Sequence, residues 1–248
     1  MANPIAQFEI KPLIPLNLAG LDVSFTNSAL WMVIGVVASS LLLWAGSRRQ
    51  LMVPGRLQAA CEGVYGFVHT MVRDNIGSGG EKYFPFIFTL FVVVFLGNAL
   101  GMIPYSFTYT SHLSVTLTLG LMVFACVLAF GFARHGLHFL SIFLPPGVPL
   151  WLTPLILAIE LISFFIRPVT LAVRLFANMM AGHVMLKVFS GFCVTFIALG
   201  GFTGVAAIVP LLFNSVLIGF EFLIAFLQAY VFAVLSCIYL KDTVHLDH

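Results

Sequence analysis

Long stretches of this chain carry no Asp, Glu, Lys or Arg: between Asp22 and Arg48, between Lys82 and Arg134, and between Lys187 and Glu221. An apolar run of roughly 20 residues crosses the hydrocarbon core of a bilayer as a helix. Lipid offers the backbone no hydrogen-bond partners, so such runs must satisfy themselves internally as helices. A water-facing surface cannot be built from what remains, because 8 % of residues are charged against about 25 % in soluble domains. The expected fold class is therefore an all-α integral membrane protein, a single membrane domain over residues 1–248 with about five membrane helices plus an amphipathic interfacial helix.

Several functions are set aside by composition. A net charge of +2 is too small to argue for nucleic acid. Cys61, Cys126, Cys193 and Cys237 are scattered without CxxC spacing and read as apolar thiols. Residues 1–20 contain no basic segment followed by an apolar run, so the chain is expected to insert through its own spans. No HExxH and no GxxxxGK[ST] occurs, and no cofactor or metal is expected.

Residues 1–27, with Pro4, Pro12 and Pro15, read as an outer N-terminal tail. The first span is about residues 27–46. Arg48, Arg49 and Arg56 follow it and place that end in the cytoplasm, with the N-terminus outside. Over residues 54–74, Leu57, Cys61, Val64, Val68, Met71 and Val72 recur at helical spacing, opposite Gln58, Glu62, His69 and Arg73. That pattern predicts an amphipathic helix lying in the membrane interface, with a soluble loop helix as the alternative. Residues 83–133 suffice for a helical hairpin, turning through Gly101, Pro104 and the run Tyr105 to Ser111. Pro145, Pro146 and Pro149 break the next loop.

Residues 150–240 read as a pair of long, tilted, antiparallel helices. From about Leu150 to Leu199 there is no turn signature, and Arg167-Pro168 has no polar loop beside it. Two spans broken at Pro168 are possible; one long, kinked helix is the preferred reading. Gly200, Gly201 and Gly204 turn the chain, and a second helix runs from about Val205 to Leu240, with Lys241 at its cytoplasmic end.

Ionisable groups inside a membrane are costly and commonly functional. The last two helices carry Glu160, Arg167, Arg174, Lys187 and Glu221, joined by Asn178, His183, Asn214 and Gln228. Glu160, Arg167 and Arg174 repeat by seven and share one face; Asn214, Glu221 and Gln228 do the same. Folding the pair about Gly200-Gly201 sets Arg174 level with Gln228, and His183 level with Glu221. A histidine facing a glutamate can exchange a proton near neutrality. The competing structural reading makes these side chains interhelical glue, at about 0.6 kcal/mol per hydrogen bond. Asn and Gln fit it; Arg174, with no acid within a turn, does not. Arg174 and His183 lie nine residues apart, nearly on opposite faces. Arg167 and Lys187 read as interfacial anchors.

The segment from Arg167-Pro168-Val169-Thr170 through Arg174-Leu175-Phe176-Ala177-Asn178 to Gly182-His183 resembles the hallmark of the F-type ATP synthase subunit a family. Glu221 to Phe232, with Gln228-Ala229-Tyr230-Val231-Phe232, is similar to its second hallmark, and Gly97-Asn98 to Ile103-Pro104-Tyr105 to its hairpin. The resemblance covers most of residues 25–242. It implies the stationary proton-translocating subunit of a rotary motor, with two offset half-channels. Arg174 would be the essential arginine facing the carboxylates of the c-subunit ring. His183, Glu221 and Asn178 would line the outer half-channel, Glu160 the other, and Gln228 would support Arg174. The pairing of His183 with Glu221 looks like the mitochondrial and alphaproteobacterial form. Implied partners are the c ring, b-type peripheral stalk subunits, the F1 sector indirectly, and membrane lipid, with no nucleic acid. The implied location is the bacterial inner membrane, with the C-terminus cytoplasmic. The chain would not be catalytic alone. A proton-coupled secondary transporter is the alternative, but it should show repeated halves with matching broken helices. A haem protein or intramembrane enzyme would need facing histidines or a catalytic motif.

Overall fold

The structure, a computed structural model, describes residues 8–15, 17–18, 21–22, 24–48, 52–103, 106–136, 138–139 and 152–244. Pro4, Arg49, Pro104, Tyr105, Pro145, Pro146 and Pro149 lie outside the described residues. The helices are α1 (Asn27–Ser47), α2 (Arg56–Ile76), α3 (Phe84–Gly101), α4 (Leu113–His135), α5 (Thr153–Leu199), α6 (Gly201–Ala206) and α7 (Ile208–Val244). Short strands precede them: β1 (Pro12–Ile14) pairs antiparallel with β4 (Phe25–Thr26), and β2 (Asn17–Leu18) with β3 (Leu21–Asp22). Among the described residues, five helical segments are long and apolar enough to cross a membrane: α1, α3, α4, α5 and Gly204–Lys241.

Helix boundaries follow from local chemistry. Thr26 Oγ1 accepts the Ala29 N–H at 3.3 Å and caps α1. Asn27 ties the N-terminal segment to that helix: its Oδ1 accepts the Lys11 N–H at 3.1 Å, and its Nδ2 donates to the Glu9 carbonyl at 3.1 Å. α2 ends at Gly77, whose φ of 85° suits only a residue without Cβ and whose N–H returns to the Arg73 carbonyl. α5 runs unbroken for 47 residues with Pro168 inside it, about 70 Å at 1.5 Å per residue. The one-helix reading of this segment is the one observed. The proline removes one backbone donor but leaves the neighbouring turns intact.

At the end of α5 the chain reverses. Gly200 sits at φ 68°, ψ −174° and Gly201 at φ 60°. The Gly200 conformation is open essentially to glycine alone, and other residues pay about 1–3 kcal/mol to adopt it. Gly200→Ala is expected to lower the midpoint of thermal aggregation in detergent by several degrees. An unchanged midpoint would show that the reversal tolerates a side chain. α6 begins at once at Gly201, so the short helix and a break at Ala207 precede the last long helix.

The chain falls into two compact units. The first comprises Met1–Leu41, Val93–His112 and Leu175–Gln228; the second comprises Leu42–Val92, Leu113–Arg174 and Ala229–His248. In the second, the residues Val68, Met71, Val72 and Ile76 of α2 are buried, whereas Leu57 on the same stripe is exposed. Among the described residues, the fully buried positions of that helix lie in its later turns. α4 approaches α5 closely because Gly120 has no side chain: a Cβ there would lie 2.8 Å from the Pro168 carbonyl oxygen. Phe139 and Phe164 form a small aromatic core, flanked by Phe124 and Leu128.

The first unit buries polar rather than purely apolar groups. Asn98, Thr108, Thr110, Ser111, Glu221 and Gln228 are all buried in it. The Tyr109 hydroxyl lodges against Gly35 of α1 and Gly97 of α3, where any Cβ would meet it. Burial pushes that phenol up to about 12.

Large apolar side chains stand exposed along the outer faces of the long helices, among them Val36, Leu41, Trp44, Leu121, Ile162, Phe165, Val194, Val209, Val216 and Phe220. Soluble proteins do not expose contiguous apolar surface on this scale. A helical chain that does is solvated by lipid, and the protein is a multi-pass membrane protein.

Candidate functional site

The second half of α5 and the first part of α7 form an antiparallel hairpin in the first unit. Partners descend on α7 as they rise on α5: Asn178 meets Gln228, His183 meets Glu221, Phe189 meets Phe213, and Cys193 meets Ala207. The pairs scatter slightly about a mirror through Gly200-Gly201. Helical side chains lean toward their own N-terminus, so on antiparallel helices the two tips lean past the level of their Cα atoms. This accounts for Gln228 reaching Asn178, one turn along from the Arg174 that a strict mirror sets level with it.

Four of the six residues expected from sequence come together here. Asn178 Nδ2 donates to Gln228 Oε1 at 2.9 Å. His183 Nδ1 lies 3.3 Å from Glu221 Oε1. This is ion-pair distance without the alignment of a formed hydrogen bond, so the carboxylate oxygens of Glu221, although buried, have no hydrogen-bond partner among the described residues. Gln228 Nε2 is likewise buried without a partner, and so is Asn214 Oδ1. A polar group held out of water without a partner costs about 1–3 kcal/mol, so this arrangement is not one that packing alone favours.

The carboxylate of Glu221 has room only because residue 182 is glycine. A Cβ at Gly182 would lie 2.7 Å from Glu221 Oε1 and 3.1 Å from its Cδ. The glycine next to His183 on α5 therefore admits the acid of α7 to the imidazole.

Arg174 and Glu160 belong to the second unit. Arg174 is exposed on α5 and makes no ion pair or side-chain hydrogen bond among the described residues. Glu160 is half-buried. Arg167, read from sequence as an anchor, packs its guanidinium over the rings of Phe164 at 5.8 Å and Tyr239 at 5.2 Å, both in its own unit. Lys187 is exposed, as an anchor would be.

Two residues at the site were not found from sequence. Thr108, in the loop between α3 and α4, places Oγ1 2.9 Å from His183 Nε2. Phe8, in the segment read as a tail, brings its ring centroid within 6.4 Å of the His183 ring. Neither residue type is rare, and both lie far from His183 in sequence, so no local pattern marks them. Asn98, quoted above only as part of the hairpin, donates to the Ala225 carbonyl at 3.4 Å, one turn along α7 from Glu221.

The arrangement can hold and pass a proton. It offers a largely buried imidazole–carboxylate pair with amides beside it and a threonine hydroxyl on the far ring nitrogen. Among the described residues no group of His, Cys, Asp and Glu has the geometry of a metal site.

Comparison with known proteins bears on the whole chain. A sequence model described as ATP synthase A chain matches residues 29–241. A protein of Parvibaculum lavamentivorans named ATP synthase subunit a is 52 % identical over 246 residues, covering 99 % of this chain and 95 % of the relative. One of the same name from Rhodospirillum rubrum is 51 % identical over 246 residues, 99 % of this chain and 100 % of its own length. Another, from Agrobacterium fabrum, is 49 % identical over 249 residues and covers both chains completely.

Proposed function

We propose, from the premise that this chain belongs to the ATP synthase A chain family, that it is the stationary proton-translocating subunit of the membrane sector of a rotary ATP synthase. The observation that carries this reading is the buried His183–Glu221 pair, an imidazole and a carboxylate 3.3 Å apart in an otherwise apolar helical hairpin. Protons would enter by the pair and reach a carboxylate on a rotating ring of c subunits. Asn178 and Gln228, hydrogen-bonded to one another, would extend that half-channel. Glu160 would serve the offset half-channel toward the cytoplasm. Arg174, an exposed cation without an acidic partner among the described residues, would face the ring and separate the two paths. Each charge crossing 100 mV releases about 2.3 kcal/mol, which the ring would convert to torque.

The wider assembly belongs to the same reading. A b-type peripheral stalk would hold the chain still against the ring, and ATP chemistry would lie in the F1 sector. The whole chain would act as one membrane domain. Arg48, Arg56, Arg134 and Lys241 would share the cytoplasmic side, with the N-terminus outside and the C-terminus cytoplasmic in a bacterial inner membrane. α2 would lie in the interface, with lipid covering its exposed Leu57.

Gentle solubilisation should recover the chain with a c ring and an ATPase sector. Recovery of a lone protein that drives solute uptake would replace this reading with a transporter. Within the complex, Gly182→Ala should push the Glu221 carboxylate away from His183. Misplacing a reacting group by ~1 Å can cost about a hundredfold. Passive proton uptake by vesicles stripped of F1 should therefore fall by at least about tenfold. Parental uptake in the assembled variant would count against the pair as the proton path.

A further inference from the structure

We propose that Thr108 is a positioning residue of this proton path: its hydroxyl holds the His183 ring with hydrogen on Nε2, so that the exchangeable proton resides between Nδ1 and Glu221. The inference rests on the reading of His183 and Glu221 as a relay, and adds to it the residue that sets the ring's tautomer.

The argument is one of hydrogen counting. Thr108 Oγ1 lies 2.9 Å from His183 Nε2 and 3.1 Å from the Gly101 carbonyl oxygen. A hydroxyl has one hydrogen to donate and lone pairs to accept with. The Gly101 carbonyl oxygen can only accept; one of its two lone pairs takes the Ser106 hydroxyl at 3.0 Å and the other the Thr108 hydroxyl, so the Thr108 hydrogen goes to Gly101. The contact to His183 is then satisfied only if Nε2 carries hydrogen and donates. In a histidine the bond made by one ring nitrogen fixes the state of the other.

The loop that carries Thr108 is held firmly. Ser111 Oγ donates to the Thr108 carbonyl at 2.6 Å. Gly101, the last residue of α3, lets the threonine side chain approach: a Cβ there would lie 2.6 Å from Thr108 Cγ2 and 2.7 Å from Oγ1. Thr108 itself is buried, so water does not compete freely for its hydroxyl.

With Nε2 committed, Nδ1 faces Glu221 Oε1. One proton fits between them. It resides on Oε1 as a carboxylic acid donating to Nδ1, or on Nδ1 as an imidazolium donating to the carboxylate. The two forms have the same net charge of zero, so the proton can shift from nitrogen to oxygen without adding charge to an apolar region. The N–H bond at Nδ1 breaks as the O–H bond at Oε1 forms. Rotation of the protonated carboxyl about Cγ–Cδ turns the O–H away from Nδ1, and neither carboxylate oxygen has a hydrogen-bond partner among the described residues to hold it; the O–H bond then breaks as the proton passes to the next acceptor on the path. Were Nδ1 to carry the hydrogen of a neutral ring instead, the same contact would hold the carboxylate ionised and the proton could not be shared in this way.

The test uses the assembled complex in vesicles stripped of F1, with Thr108→Ser, Thr108→Val and Thr108→Ala. The histidines are labelled with 15N, and His183→Gln identifies the resonance. Loss of a group that orients a functional imidazole commonly costs about 10–100-fold. Thr108→Ser should keep proton uptake within about twofold of the parent, whereas Thr108→Val and Thr108→Ala should lose about tenfold. The His183 ring should be in the Nε2–H form in parent and serine variants and should populate both tautomers in the other two. Assembly of either hydroxyl-free variant suffices. Parental uptake in a hydroxyl-free variant, or an unchanged tautomer, overturns the role of Thr108 alone. Parental uptake in His183→Gln overturns the relay itself.

Discussion

Arg174→Ala should reduce proton-driven ATP synthesis to below about one hundredth of the parental rate, the scale of loss when a preorganised electrostatic group is removed, while the complex still assembles. Arg174 is exposed and has no ion-pair partner among the described residues. Its removal therefore takes no buried contact from the fold, and alanine is the best helix former available to α5. What is lost is the cation. A guanidinium within about 4–6 Å lowers a carboxylate pKa by some 1–3 units, and each unit is about 1.36 kcal/mol. Without it, a ring carboxylate passing this face of α5 would stay protonated and carry its proton past without exchange. Arg174→Lys should recover only part of the rate, because an ammonium keeps the charge but not the planar fork of donors. The measurement is ATP synthesis in inverted vesicles under an imposed gradient, with assembly checked by co-purification. Synthesis by Arg174→Ala at near-parental rates would remove Arg174 from the mechanism.

The second large effect concerns His183 and Glu221. His183→Glu or Glu221→His alone places like groups opposite one another in a buried hairpin. Each single change should cost about ten- to a hundredfold in proton uptake, as expected for loss of a positioned acid or base. The exchanged double variant restores one imidazole and one carboxylate at the same separation. It should conduct better than either single variant, with a coupling of about 0.5–3 kcal/mol. The geometry sets a limit on this rescue. Gly182 admits a carboxylate tip from α7, and an imidazole arriving from position 221 is wider. Thr108 would then meet a carboxylate in place of Nε2–H. Partial recovery is therefore the expected result, and strictly additive losses would show that the two positions work independently.

How much of this was legible in sequence depends on how rare each signal is. Charge-free runs delimit α1, α3 and α4 within a few residues because lipid leaves no alternative to helix. α5 is readable as one helix despite Pro168, since no polar loop accompanies the proline. Arg174, His183 and Glu221 stand out because ionisable groups in such runs are scarce. The pairing of His183 with Glu221 follows from antiparallel register alone. Gln228 was harder: mirror symmetry about Gly200-Gly201 ignores the lean of helical side chains, which brings it to Asn178. Thr108 and Phe8 were not legible. A threonine in a polar turn has no distinctive spacing, and its bond to His183 spans 75 residues. Phe8 reaches His183 from a proline-rich segment whose path depends on Asn27 holding Glu9 and Lys11.

The lodging of Tyr109 between Gly35 and Gly97 has a consequence for the history of this gene. Helices α1 and α3 are far apart in the coding sequence, yet one phenol constrains a codon in each. An alanine at position 97 collides with Tyr109, and one at position 35 would bring its Cβ to 3.1 Å from the hydroxyl. At position 97 the tyrosine ring must move to make room, whereas at position 35 a shift of a few tenths of an ångström suffices. The two codons are therefore unequally bound to the tyrosine: a smaller residue at position 109 would free position 97 far more than position 35.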